Sequence, residues 1–193
     1  MVKLWYNKLY MKVILASASP RRVLLLKEII NDFSVQASDI DEDCNLLSPK
    51  KYVGFLARQK AIDVFNKNHG DRLVIGSDTI VVLDKKIIGK PTDNEDAKNM
   101  LRCLSGRIHK VYTGVCLISN ARQKTFVVKS YVKFYKLTEK QIEQYINSGK
   151  ANDKAGAYGI QDSGFVKKIF GSYSCVMGLP VEKLKKEIKR FLK

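Results

Sequence analysis

Short apolar runs and amphipathic stretches alternate along the chain, and the alternation predicts strands and helices in mixed order. Val13-Ile14-Leu15 reads as a buried strand that ends in the small residues Ala16-Ser17-Ala18-Ser19-Pro20. Arg21 and Arg22 open a helical segment that offers Val23, Leu24, Leu26, Ile29 and Ile30 for burial. Ser48-Pro49 predicts an N-cap followed by proline in the first helical position. The helix it starts carries Val53, Leu56, Ala57, Ala61 and Val64 on one face and runs to about Asn66. Leu73-Val74-Ile75 is a second buried strand, ending at Gly76-Ser77-Asp78, and Ile80 to Leu83 with Ile87-Ile88 reads as a hairpin across Asp84-Lys85-Lys86.

Thr92 and Glu95 predict a capping box for a helix with Ala97, Met100, Leu101 and Leu104 as its apolar stripe, ended by Ser105-Gly106. Two long strands follow, about Lys110 to Ile118 and Lys124 to Phe134, with Phe126, Val128, Val132 and Phe134 on one face of the second. Thr138 and Gln141 form another capping box, for a helix that stops near Gly149. The glycine-punctuated stretch Ala155-Gly156-Ala157-Tyr158-Gly159 precedes a strand from Phe165 to Phe170. A closing amphipathic helix, Pro180 to Leu192, turns Val181, Leu184, Ile188 and Phe191 inward. The fold class is therefore α/β, a mixed sheet with antiparallel hairpins and flanking helices.

A chain of 193 residues, 45% of them hydrophobic, is long enough for one large core or two small lobes around a cleft. No apolar run approaches the roughly 20 residues that span a bilayer, and the first residues lack the apolar core of a secretion signal. Residues 1–10 read as an N-terminal extension or as an artefact of start-site choice, with Met11 directly before the first strand, and residues 11–193 as a single domain. Cys44, Cys103, Cys116 and Cys175 are spaced neither as a metal finger nor as a disulfide framework, and read as reduced thiols in a cytoplasmic protein. The net charge of +16 admits a nucleic-acid partner, but the lysines are scattered along the whole chain and fit a solvated surface better.

Three polar clusters stand at the expected ends of strands or in the loops beside them, where α/β folds place ligands. Ser17-Ala18-Ser19-Pro20-Arg21-Arg22 joins a strand to a helix N-terminus, so its hydroxyls, backbone N–H groups and guanidiniums suit an anion; a capped helix with two surface arginines is the plainer alternative. Gly76-Ser77-Asp78-Thr79 sets a carboxylate after an apolar strand, a costly position unless the charge has a partner. Asp78 there suits a metal ion, proton abstraction, or simple strand termination. Gly89-Lys90-Pro91 holds one lysine between two constrained residues. In Lys154 to Gln161 the glycines permit close backbone approach, and Gln161 offers an amide to a base edge. No P-loop or Rossmann glycine motif is present, so any phosphate handling is of another kind.

Taken in order, these segments resemble the Maf family. The resemblance rests on Leu15-Ala16-Ser17-Ala18-Ser19-Pro20-Arg21-Arg22, Asp41-Glu42, Leu56 to Ala61, Ser77-Asp78-Thr79-Ile80-Val81 and Gly89-Lys90-Pro91. It continues through Leu104-Ser105-Gly106-Arg107 with His109, Lys154 to Gln161, and Gly171-Ser172-Tyr173 through Gly178-Leu179-Pro180. Each tripeptide alone is weak, whereas the ordered set is specific. The resemblance implies two lobes around a cleft, similar to inosine triphosphate pyrophosphatases, and a nucleoside triphosphate substrate cut to monophosphate and pyrophosphate. It also implies a divalent cation, Mg²⁺ or Mn²⁺, and often a homodimer; the lack of a long apolar run already argues against a membrane partner. Asp78 would then be the general base and, with Glu42, hold the metal; Ser17, Ser19, Arg22, Lys60 and Lys90 would bind the phosphates. Arg21, Thr79 and Gln161 match positions that look like dTTP/UTP selectivity. Two residues depart from the family pattern: Asp162, where a glycine commonly follows the glutamine, and Cys175, where asparagine or alanine is usual. The competing expectation is a basic nucleic-acid-binding or regulatory protein without turnover, which has little use for Glu42 and Asp78.

Overall fold

The computed structural model describes residues 11–42 and 48–193; residues 1–10, Asp43 and Cys44 lie outside them. Among the described residues one sheet of seven strands runs through the structure. In chain order the elements are β1 (Lys12–Ala16), α1 (Pro20–Lys27), β2 (Ser34–Val35), α2 (Pro49–Asn66), β3 (Arg72–Leu83), β4 (Lys86–Ile88) and α3 (Asn94–Leu104). They continue with β5 (Ile108–Ile118), β6 (Gln123–Phe134), α4 (Glu139–Asn147), β7 (Val166–Phe170), α5 (Tyr173–Met177) and α6 (Val181–Phe191). The strand order is β2-β1-β3-β5-β6-β7, with β4 pairing to β3; β1 lies parallel to β2 and β3, and the other pairs are antiparallel.

Alternation along β3 decides where the cores sit. On one face, Leu73 and Ile75 join Leu15, Leu26, Leu117, Leu179, Leu184 and Ile188 in one apolar cluster. Farther along the same face, Val81 and Leu83 join Leu101, Leu104, Phe134, Ile142 and Phe165 in another. Between them that face carries Ser77 and Thr79, so polar residues separate the lobes on a continuous sheet.

The opposite face is covered by α2, whose Ala61 and Val64 pack with Val74, and whose Val53 packs with Ile80 and Val82. The helix lies on bare backbone. A β-carbon at Gly76 would stand 2.4 Å from the Ala57 carbonyl oxygen, and one at Gly114 would stand 2.4 Å from that of Val53. Glycine at these two positions thus sets how close α2, and Lys60 on it, comes to the sheet.

Several expectations change on folding. β3 is one strand of 12 residues where the sequence reads as two, and Asp78 lies inside it instead of at an end. Its pairing with β5 is unbroken from Val74 to Val82, which carries the extended backbone through the polar segment. In α1, Leu24 is 60% exposed while Leu25 and Leu26 are buried, a rotation of the expected apolar stripe. The α3 cap is Asp93, whose carboxylate accepts from the Asp96 N–H at 2.8 Å; Thr92 donates to Asp96 instead of capping. The Thr138–Gln141 capping box and the Ser48 cap form as expected. β2 and α5 have no counterpart in the sequence pattern, being too short for periodicity to register. No helix among the described residues is long and apolar enough to cross a membrane.

Candidate active site

A break in strand pairing creates the cleft. The parallel ladder of β1 on β3 ends at Ala16 with Gly76, and the antiparallel ladder of β4 on β3 begins at Ile88 with Val81. Between them Ser77 to Ile80 have no strand partner on that edge among the described residues. This gap is the floor of a cleft of about 560 Å³, walled by the loop after β1, the start of α1, Lys60, Gly89-Lys90 and the segment 153–161. Such a place, where the chain leaves a parallel strand, is where open α/β sheets bind ligands.

Arg22 organises the floor. Its Nη1 donates to Ser17 Oγ at 3.1 Å, Nη2 to Thr79 Oγ1 at 3.2 Å, and Nε to the Gly178 carbonyl at 2.9 Å. Burial pushes its pKa below the ordinary arginine value, opposed by the negative charge of Asp78. Ser77 Oγ also lies 2.9 Å from the Gly178 carbonyl oxygen. Gly178 has a left-handed φ of 113°, and a β-carbon there would come 3.2 Å from Arg22 Nε, so only glycine leaves the guanidinium in place. Ser17 Oγ accepts from the Ser19 N–H at 3.2 Å, which folds the loop ahead of α1.

The Thr79 hydroxyl has a fixed sense. Thr113 Oγ1 donates to the Cys175 carbonyl at 2.7 Å, so its one hydrogen is used there. The 3.0 Å contact between Thr79 and Thr113 is therefore a donation by Thr79. With Arg22 donating to it as well, Thr79 Oγ1 has only a lone pair to present to a ligand.

Acids and bases meet on the wall formed by α2. Lys60 Nζ lies 2.6 Å from Asp78 Oδ1 and 2.7 Å from Glu42 Oε1. Burial raises the pKa of Glu42, but the hydrogen bond and charge of Lys60, with Lys90 and Arg22, outweigh it and hold the carboxyl below its ordinary value. Lys90 lines the cleft and is exposed. At the other wall, Arg21 donates to Asp153 at 3.1 Å, and Asp153 also pairs with the buried Lys154 at 2.7 Å. Gln161 lines the rim and is exposed.

The ten residues given site roles in the sequence thus border one cavity: Ser17, Ser19, Arg21, Arg22, Glu42, Lys60, Asp78, Thr79, Lys90 and Gln161. Asp153 is not among them, although it directly precedes the Lys154 cluster; its role needs Arg21, 132 positions away in sequence, to be seen beside it. Neither departure from the family pattern lines the cleft. The Cys175 thiol faces the Val128 carbonyl at 3.4 Å. Asp162 accepts from Tyr145 Oη at 2.8 Å, and that oxygen accepts from the Gly159 N–H at 2.9 Å, so Asp162 braces the loop from behind.

Comparison with known proteins identifies the family. The family model described as Maf-like protein matches residues 12–191. The chain belongs to the Maf family. It is 48% identical over 190 residues to the dTTP/UTP pyrophosphatase of Clostridium perfringens (strain SM101 / Type A), covering 94% of this chain and 97% of that protein. It is 46% identical over 172 residues to the dTTP/UTP pyrophosphatase of Thermococcus onnurineus (strain NA1), covering 88% and 92%. The solved structure of the Staphylococcus aureus Ham1 protein shares the fold, with a TM-score of 0.53 at 12% identity over 93% of this chain and 98% of that one.

The donor set of this Maf family member suits a hard divalent cation. Asp78 Oδ1 and Glu42 Oε1 both lie within 2.7 Å of one point, so the two carboxylates converge as oxygen ligands of a shared ion must. No group of three or more His, Cys, Asp or Glu stands together among the described residues, so the carboxylates that converge here are these two. Mg²⁺ is commonly held this way, by one or two carboxylates plus phosphate oxygens.

Proposed function

We propose that this Maf family member is a nucleoside triphosphate pyrophosphatase of the cytoplasm that hydrolyses dTTP and UTP between the α- and β-phosphates. The products are the nucleoside monophosphate and pyrophosphate, and the work is removal of surplus or modified nucleotides. One observation carries the reading: two carboxylates, Asp78 and Glu42, share a single cleft with Arg22, Lys60 and Lys90. A phosphate-binding protein without turnover needs the cations but not the acids.

The triphosphate lies along Arg22, Lys90 and the donors of the Ser17–Ser19 loop. Positioning and charge stabilisation of this kind are most of what phosphoryl chemistry demands. Asp78 and Glu42 would hold a divalent cation, which when bound would supply positive charge to the phosphates and acidity to water. Asp78 is the residue placed to accept the proton of the attacking water. Uracil and thymine carry an imino N–H, and Thr79 offers a lone pair with no hydrogen to give, so an N–H donor is the complementary partner. Gln161 and Arg21 close the selectivity set from the rim. A site that hydrogen-bonds a base rejects analogues that leave its groups unpaired.

The test is a panel of dTTP, UTP, CTP, GTP and modified triphosphates with Mg²⁺ or Mn²⁺, with monophosphate, pyrophosphate and inorganic phosphate resolved. Pyrophosphate from dTTP and UTP is expected, and Asp78→Asn should fold normally while turnover drops by orders of magnitude. Inorganic phosphate as the first product, or an Asp78→Asn variant as fast as the parent, would overturn the assignment. Tight, salt-dependent oligonucleotide binding with no hydrolysis would favour the nucleic-acid reading instead.

A further inference from the structure

Lys60 holds the place where the cation belongs. Its ammonium sits between the carboxylates at 2.6 Å from Asp78 Oδ1 and 2.7 Å from Glu42 Oε1. The lysine side chain is only 12% exposed and that of Asp78 8%, so water screens this contact little. Magnesium binds oxygen at about 2.0–2.1 Å, which puts an ion serving both carboxylates on the spot that Nζ fills. An ammonium and a divalent cation cannot share it.

We propose that Lys60 seals the metal site of the free protein and leaves it only when a triphosphate offers the ammonium a new anionic partner. The inference rests on the metal reading above and deepens it: metal and nucleotide bind as a coupled pair, and Lys60 is the positioning residue that couples them. Two consequences follow from the geometry. Asp78 Oδ1 is held by the ammonium, and cannot serve an ion, until Lys60 withdraws. A ligand with too little phosphate charge to hold the displaced ammonium, such as a nucleoside, leaves the site sealed. The anchor of the device is the close seat of α2 on the sheet at Gly76, which fixes the lysine stem above Asp78.

The experiment measures Mn²⁺ affinity of the purified full chain without any nucleotide, by paramagnetic resonance of the free ion. The variants are Lys60→Met, Lys60→Gln and Asp78→Asn, each checked for native circular dichroism. The measurement is then repeated with a non-hydrolysable α,β-imido analogue of dUTP, correcting for Mn²⁺ held by the analogue alone. Without nucleotide, both Lys60 variants should bind Mn²⁺ at least tenfold more tightly than the parent. With the analogue the parent should gain affinity, and the Lys60 variants should gain much less, because their site is already open. Lys60→Gln keeps a polar contact to Asp78 and serves if Lys60→Met does not fold.

A parent that binds Mn²⁺ as well without the analogue as with it, or Lys60 variants no tighter than the parent, would overturn the proposal. Asp78→Asn separates this failure from failure of the metal reading. If it weakens Mn²⁺ binding while the Lys60 variants match the parent, the metal site stands and the seal is wrong. If it leaves Mn²⁺ binding in the presence of the analogue unchanged, the metal reading itself is wrong.

Discussion

Replacing Gly76 by alanine puts a methyl group where α2 rests on the sheet. The added β-carbon would stand 2.4 Å from the Ala57 carbonyl oxygen and 2.7 Å from both the Ala61 nitrogen and its β-carbon. Two of these three atoms are helix backbone, so no side-chain rotation relieves the overlap; the helix must shift. Overpacking of this kind costs about 1–3 kcal/mol, and backbone obstruction at a buried position of β3 argues for the upper end. Alanine recovers about 0.5–1 kcal/mol because glycine loses more freedom on folding. The net loss is about 2 kcal/mol. For a chain of this length that lowers the melting temperature by about 4–8 °C.

The shift has a second effect, because α2 carries Lys60 and β3 carries Asp78. Moving the helix outward carries Lys60, a cation for the triphosphate, away from the cleft, so Gly76→Ala should also lower pyrophosphate release at temperatures where it remains folded. Thermal unfolding followed by circular dichroism, paired with a pyrophosphate assay, measures both. Gly89→Ala is the control for stability, since a β-carbon there meets nothing within 4 Å and φ is not left-handed. A Gly76→Ala protein that melts with the parent would refute the claim that helix and sheet are in backbone contact here.

Two other outcomes are expected. His109 is 1% exposed, accepts or donates one bond to Tyr158 Oη at 2.8 Å, and has no partner at Nδ1, so burial pushes its pKa from 6.5 to about 4. The folded state resists protonation that the unfolded chain takes up, so this stability is complete above pH 6.5 and is lost as pH falls toward 4. The full loss is about 3 kcal/mol, from about 1.4 kcal/mol per pKa unit, and urea titrations between pH 7 and 5 should show its first part in the parent and not in His109→Phe. Asp153→Ala frees Arg21 and Lys154 from their shared acid, at a site where Asp153 itself is largely exposed. Its effect should be on KM and on the UTP-to-CTP preference more than on kcat or melting temperature; equal loss of kcat for every nucleotide would place Asp153 in the chemistry instead.

Local pattern determined most of the elements of this protein, because helix stripes, caps and apolar strand runs are written over short spans of chain. The Ser48-Pro49 start of α2 and the Thr138–Gln141 box of α4 need no distant partner, and both are legible in the residues alone. The site residues are legible as a set only through ordered resemblance to Maf proteins, since hydroxyls, arginines and one carboxylate taken singly fit ordinary caps and strand ends. The tertiary structure decided what no local span contains. Pairing with β5 carried β3 straight through Ser77-Asp78-Thr79, turning an expected strand end into the floor of a cleft. Competition between Asp93 and Thr92 for the α3 cap was settled by which side chain reached the Asp96 N–H. Asp153 met Arg21, and Lys60 met Asp78 and Glu42, only because β1, α2 and β3 converge where the ladders on one edge of β3 stop. Charges separated in sequence acquire partners by packing, and packing acts across distances that residue order does not encode.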